Sequence, residues 1–439
     1  MLEGRCKLCN WDGSRSSYVS EIHRRQLESL DRSSLETYQL ERLNALLEAI
    51  LPTNQFYDRK LAGSPQRLDS LEQLSQLPFT TKDELLPTGE HPPRPANLTY
   101  PLEQYVRFHQ TSGTRGRPLP VFDTADDWRW WIDSWQYVLD AADITSADRA
   151  MLAFSFGPFI GFWTAFDSLV ARNVLVAPGG GMSTLARIDV MERLQTTALF
   201  CTPTYALHLA EVAEQNQIDL SHLPVEKIVV AGEPGGSIPS IRQRIEDTWH
   251  AKLTDHSGAS EIGAWGYGDQ QARGLHIAES EFIAEFISVE TGEPATDGEL
   301  SHLILTTLGR VGAPLIRYRT SDLVRPRWNA AESNHFVLLE GGVLGRNDDM
   351  MVIRGVNIYP TSIEQILRSF PEVTEYRLTA KKRGQMDSVL IEVEDRLEET
   401  DRIAAELQKQ LGLSIEVKLV PAMSLPRFEG KGRRFVDER

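Results

Sequence analysis

Apolar and polar positions alternate along the chain with two distinct periods. From Ser33 to Leu51 the apolar residues Leu35, Leu43, Leu46, Leu47 and Ile50 recur near helical spacing with charges between them, and Pro52 follows. This spacing predicts an amphipathic helix. Ser70 to Leu77 reads as a second, short helix ended by Pro78, and Thr81-Lys82-Asp83-Glu84 has the form of a helix start. Pro87 to Pro101 is proline-rich and predicts an irregular connection. Ala125 to Asp140 predicts a helix with Trp128, Trp131, Trp135 and Val138 along one stripe, the usual mark of core packing.

Further on, short apolar runs and helical segments take turns. Met151–Phe154, Val174–Val176, Ala198–Cys201, Ile228–Ala231 and Lys252–Asp255 read as buried strands. Ile188–Gln195, Tyr205–Gln215 and Ile238–His250 read as helices between them. Such alternation predicts an α/β fold with a mainly parallel sheet flanked by helices. Phe282 to Leu339 is strand-rich with turn signals at Thr291-Gly292 and Asp297-Gly298, which predicts a more antiparallel subdomain. After Leu344 the pattern changes again. Strands at Met351–Ile353, Glu375–Ala380, Ser388–Val393 and Ile415–Val420, with helices at Ser362–Ser369 and Glu398–Leu411, predict a small α+β domain on a hinge. The expected division is 1–345 for the large N-terminal domain and 346–439 for a small, mobile C-terminal domain. There are no internal repeats.

Composition narrows the function classes. The 439 residues include 62 acidic and 46 basic side chains, a formal charge of −16. Nucleic-acid binding by bulk electrostatics is therefore not expected, and an anionic ligand needs a locally basic cleft. No stretch is long and apolar enough to suggest a membrane span, and the N-terminus MLEGRCKLCNWDG lacks a signal-peptide core, so a cytoplasmic location is expected. Cys6 and Cys9 form half of a zinc knuckle whose other half is missing, since the one further cysteine is Cys201. An unpaired thiol turn is the simpler reading.

The chemistry concentrates in a few polar stretches. His109 to Pro120 reads HQTSGTRGRPLP and packs Thr111, Ser112, Gly113, Thr114 and Gly116 after an alternating run. Two glycines let the backbone turn with its N–H groups inward, and three hydroxyls add donors, a nest suited to polyphosphate oxygens. It is not a P-loop, because no Gly-Lys-Ser/Thr follows. Alone, such a loop is more often an ordinary surface turn.

In chain order, HQTSGTRGRP, DHSGASEIG (Asp255–Gly263), RYRTSDL (Arg317–Leu323), GRNDDMMVIRGVNIYP (Gly345–Pro360) and PRFEGKGRR (Pro426–Arg434) resemble five motifs of the adenylate-forming enzymes. These enzymes are the acyl-CoA synthetases, adenylation domains and luciferases. The length, LPFTTKDEL and TPTYALHLAE resemble the phenylacetate-CoA ligase branch. The resemblance implies an ATP-dependent, AMP-forming acid:CoA ligase working through an acyl-adenylate, with ATP, Mg2+ and coenzyme A. An aromatic or other hydrophobic carboxylic acid is the expected substrate.

Residue by residue, the resemblance implies that Ser112, Gly113, Thr114 and Gly116, with Thr111, bind the phosphates. Glu261 holds magnesium and Ser260 contacts a phosphate oxygen. Gly232, Glu233 and Pro234, with Ser257, Gly258 and Ala259, line the nucleotide, and Asp322, aided by Arg346, accepts from the ribose hydroxyls. Lys431 is the mobile catalytic cation, Asp348 the hinge, and Gly355 lies on the CoA side. Phe156, Phe159, Trp163 and Trp265, with Phe154, Phe162 and Tyr267, are candidates for the acid pocket, and aromatics in such stretches are equally core. Ser257 stands where the superfamily often has an aromatic that stacks on adenine, and His256 beside it is a candidate substitute. Two alternatives stay open: an enzyme that loads a carrier protein's phosphopantetheine thiol, and a nucleotide-binding paralogue without turnover. A homodimer is a further open possibility.

Overall fold

The structure is a computed structural model describing residues 19–87, 92–111, 118–154, 156–158, 160–328, 333–347, 351–353, 356–383, 386–427 and 434–438. Its centre is a nine-stranded sheet. The parallel half runs Leu175–Pro178, Arg149–Leu152, Ala198–Cys201, Lys227–Val230 and Lys252–Ala259 in spatial order. These are the runs that the alternation predicts, and each lies within a few residues of its expected position. Helices Thr184–Leu194, Pro203–Gln215 and Pro239–Trp249 connect them, each with Ser, Thr or Pro at its start.

From Lys252–Ala259 the sheet continues antiparallel through Gly263–Gly268, Gly274–Ile277, Leu338–Glu340 and Pro326–Arg327. The large sheet is therefore mixed, and part of the strand-rich stretch joins it. The rest forms a separate four-stranded antiparallel sheet of Phe282–Ser288, Ser301–Thr307, Tyr318–Val324 and Gly345–Arg346.

The Ala125–Ala141 helix is capped by Thr124 and Asp127 in a reciprocal box and is buried along nearly all of its length. Its tryptophans are core, as their spacing predicts. Their indole N–H groups are satisfied: Trp128 donates to Asp167 at 2.7 Å, Trp130 to Glu281 at 2.8 Å and Trp131 to Asp123 at 3.2 Å. This helix also explains Gly263–Gly268, a strand whose glycines hide it from propensity rules. Gly263 has φ +141, and a Cβ there would lie 2.9 Å from Trp130 and 2.7 Å from Phe282.

The C-terminal elements pack into a core of their own, including Ile363, Leu367, Leu378, Ile391, Ile403 and Leu407. Its sheet runs Glu416–Leu419, Met386–Asp395, Val373–Arg383, Phe435–Asp437, covered by helices Pro360–Arg368 and Thr400–Leu411. The helix predicted at Ser70–Leu77 is a 3-10 turn, Leu71–Gln76. Among the described residues no helix is long and apolar enough to cross a membrane.

Candidate active site

The motifs Asp255–Gly263 and Arg317–Leu323 meet where strand Lys252–Ala259 ends. Ala259 pairs with Gly263, and Ile262 N–H donates to Ala259 O at 3.0 Å, so a tight turn presents Ser260 and Glu261. Gly258 makes the turn possible, since a Cβ there would meet Gly263 O at 2.8 Å. Tyr318 donates its phenolic hydrogen to Glu261 Oε1 at 3.1 Å, and the buried Arg310 guanidinium donates to the Glu261 carbonyl. Arg310 is held in turn by Asp123 at 2.7 Å. Burial beside the Glu261 carboxylate pushes the Tyr318 pKa well above its usual value, so it stays a donor. One oxygen of Glu261 is thus oriented, and Oε2 has no partner among the described residues.

Four residues beyond Tyr318 on the same strand, Asp322 pairs across the sheet with Arg346, whose Nη1 lies 3.2 Å from Asp322 Oδ1. Arg317 and Arg319 in the same motif stack on Phe79 at 4.1 and 4.2 Å, and Arg317 also binds Glu285. They hold the strand in place.

Gly232, at φ +91, opens the turn after Lys227–Val230. Glu233 accepts from Thr204 N–H at 2.9 Å, and its other oxygen lies 3.4 Å from Arg434 Nη1. Arg434 is three residues past Lys431, so the flank of the last motif reaches the segment expected to line adenine. His256 is buried, its ring 4.3 Å from Trp135 and its Nδ1 2.7 Å from Gly266 O. Burial drops its pKa to about 4. Strand alternation turns His256 into the core and Ser257 outward, so the histidine is not a substitute for a stacking aromatic.

Thr111 closes the strand before the phosphate loop, with its hydroxyl accepting from Leu119 N–H at 3.0 Å. One residue earlier, Gln110 N–H donates to Pro158 O at 2.8 Å, tying the loop's base to the aromatic segment. There Phe156 meets Trp163 edge-on at 4.9 Å, both half-buried, and Trp163 Nε1 donates to Gly157 O at 3.1 Å. Phe154, Trp265 and Tyr267 are fully buried core residues. Ser112, Gly113, Thr114, Gly116, Phe159, Asp348, Gly355, Lys431, Cys6 and Cys9 lie outside the described residues, as does the Phe162 side chain. Motif reading alone passed over Tyr318, Arg310, Thr204 and Arg434, although Tyr318, Thr204 and Arg434 stand inside quoted stretches.

The fold matches 2-hydroxyisobutyryl-CoA ligase holding 2-HIB-AMP in the postadenylation state. The TM-score is 0.86 at 25% identity, over 94% of this chain and 92% of that one. Against the same ligase with 2-HIB-AMP and CoA in the thioesterification state, the score falls to 0.71 over 96% of this chain and 94% of that one. Residues 355–439 match the family described as AMP-binding enzyme C-terminal domain. Fold and sequence together define an adenylate-forming acid:CoA ligase.

Phenylacetate-coenzyme A ligase of Thermus thermophilus is 31% identical over 95% of this chain and 100% of its own length. That of Escherichia coli is 30% identical over 94% of this chain and 97% of its own. The chain belongs to the phenylacetate-CoA ligase family.

Proposed function

We propose that this chain activates an arylacetic acid, phenylacetate or a near analogue, and transfers its acyl group to coenzyme A. The activity class is AMP-forming acid:CoA ligation through an acyl-adenylate, using ATP, Mg2+ and CoA. A carboxylate cannot be displaced directly by a thiol, because its leaving group would be oxide. Attack of the carboxylate on the α-phosphorus of ATP releases pyrophosphate and gives an acyl-adenylate. The thiol then displaces AMP from that adenylate. The first step brings anions together, so preorganised donors and cations must meet the developing charge. Magnesium supplies Lewis-acid neutralisation of phosphate charge, and Glu261 is the proposed ligand. Asp322 takes the ribose hydroxyls, with Arg346 holding its carboxylate. Ser260 and Thr111 to Gly116 bind phosphate oxygens, and Lys431 neutralises the reacting carboxylate and phosphate.

We assign residues 346–439 to a domain that turns about Asp348 between the two steps, bringing the Gly355 face to the thiol path. The better fit to a postadenylation ligase than to a thioesterification state supports this reading. The acid preference rests on one observation, the half-buried edge-on pair of Phe156 and Trp163 beside the base of the phosphate loop. A flat ring can slide against such a pair. ATP–pyrophosphate exchange across aryl, arylacetic, fatty and 2-hydroxy acids tests it. Arylacetates should give the highest kcat/KM, and preference for a fatty acid would overturn the assignment. Running CoA beside a holo-carrier protein identifies the thiol acceptor, for which free CoA is proposed. ATP and CoA as substrates imply a cytoplasmic location.

A further inference from the structure

The described residues hold a second concentration of positive charge away from Glu261 and Asp322. A cleft of ≈ 680 Å³, open mouth included, lies between helices Pro203–Gln215 and Pro239–Trp249 and the C-terminal elements. Five arginines line it: Arg244, Arg368, Arg396, Arg427 and Arg434. Three are matched by carboxylates: Arg368 with Glu364 at 2.7 Å, Arg427 with Glu394 at 2.8 Å, and Arg434 with Glu375 at 2.6 Å. Arg244 and Arg396 have no side-chain hydrogen bond or ion pair among the described residues. They come from different sides of the cleft, one from the large domain and one from the C-terminal unit. His208 faces the same space with its Nδ1 3.7 Å from Oε2 of Glu211, a carboxylate that also lines the cleft. In a chain of net charge −16, unmatched guanidiniums gathered in a recess mark a place for an anion.

We propose that this interdomain cleft binds an anion with closely spaced phosphate groups, held by Arg244 and Arg396 from opposite walls. A guanidinium presents a planar fork of donors that suits phosphate oxygens, and two of them unpaired suit a multivalent group better than a single carboxylate. The Arg244 pKa is lowered, first by burial and then by repulsion from Arg396 and Arg368, the strain that such an anion relieves. Because the walls belong to two units, an anion here binds only the arrangement in which they meet. It therefore favours that arrangement by mass action. On the function proposed above, this is the arrangement before thioester formation, so the anion would hold back the second half-reaction. Two sources carry the chemistry: pyrophosphate released in the first step, and the phosphorylated nucleotide end of CoA.

Calorimetry on the full chain tests this. The active site is first filled with a non-hydrolysable acyl-sulfamoyl-adenosine analogue, and failure of that first titration counts against the proposed function alone. The anion arms are then run on the unliganded chain in that event. Magnesium-free pyrophosphate and 3′-phosphoadenosine 5′-diphosphate are titrated separately to distinguish the sources. Either should bind at one site, more weakly at high salt, with a loss of roughly tenfold or more in Arg244→Gln and in Arg396→Gln. Both side chains reach solvent, so neither change should disturb folding or adenylate formation. No binding by either anion, or unchanged affinity in both variants, would overturn the proposal.

Discussion

Tyr318 and Glu261 stand 57 positions apart in the chain, and the phenol of one donates to the carboxylate of the other at 3.1 Å. The strand that ends in the Glu261 turn and the strand that carries Asp322 belong to different sheets. This hydrogen bond links them, and it sets where one carboxylate oxygen of Glu261, the proposed magnesium ligand, points.

Tyr318→Phe removes that donor and little volume. A net hydrogen bond is worth about 1 kcal/mol, so the magnesium concentration for half-maximal pyrophosphate exchange should rise roughly fivefold. Glu261→Gln removes the ligand charge itself and should cost about a hundredfold in the first half-reaction. Equal magnesium dependence in Tyr318→Phe and the parent would show that the phenol does not position the carboxylate.

Asp322→Ala separates binding from folding. The Arg346 side chain is 40% exposed and that of Asp322 12%, so their pair contributes little to stability. The denaturation midpoint should barely move. Loss of the ribose acceptors should weaken AMP about tenfold or more by calorimetry. A destabilised variant with full AMP affinity would reverse the assignment.

Lys431→Ala and Asp348→Pro should fail in opposite halves of the reaction. Without the cation, adenylate formation should slow by about two to three orders of magnitude, with thioester formation from supplied acyl-adenylate largely kept. Proline at the hinge fixes φ and removes a donor, so adenylate should form and its transfer to thiol should fall. Rapid-quench assays of each half-reaction measure this, after circular dichroism establishes that the proline variant is folded. Wild-type rates in both halves would rule out a gating hinge at Asp348.

Asp255, buried behind the Glu261 turn, gives a pH signature. Burial raises its pKa to about 6, against hydrogen bonds from Ser237 and the His256 amide that favour the ion. A raised folded pKa contributes stability that is full below the unfolded pKa and lost as pH rises through about 6. Asp255→Asn keeps an acceptor for Ser237 and cannot ionise. Its stability relative to the parent should therefore improve between pH 4 and pH 7, by roughly 2 kcal/mol. His256, with its pKa depressed to about 4, contributes stability that is lost as pH falls from 6.5 toward 4, the opposite slope. Urea midpoints of both proteins from pH 4 to pH 8 isolate the Asp255 part, because His256 is common to them. A constant difference would mean that Asp255 titrates in the fold as it does in the unfolded chain, and that burial does not raise its pKa.

The parallel half of the sheet, the tryptophan helix and the C-terminal α+β unit were legible in the sequence, because each is written as a local period. Ala198–Cys201 is a strand at its expected bounds, and the Ala125 helix ends one residue from its expected end. The order of the polar motifs pointed to the reaction class for the same local reason. Gly263–Gly268 was not legible: its glycines carry no strand signal, and at Gly263 the space a side chain would take is filled by Trp130 of helix Ala125–Ala141 and by Phe282. Nor was the burial of His256 beside an outward Ser257, which depends on which face of Lys252–Ala259 the tryptophans cover. Tyr318 with Glu261, Asp322 with Arg346, and Arg434 with Glu233 join residues 57, 24 and 201 positions apart. Periodicity and propensity act over a few residues, whereas these pairings exist only once the sheets have closed and the last motif has come back against the first domain.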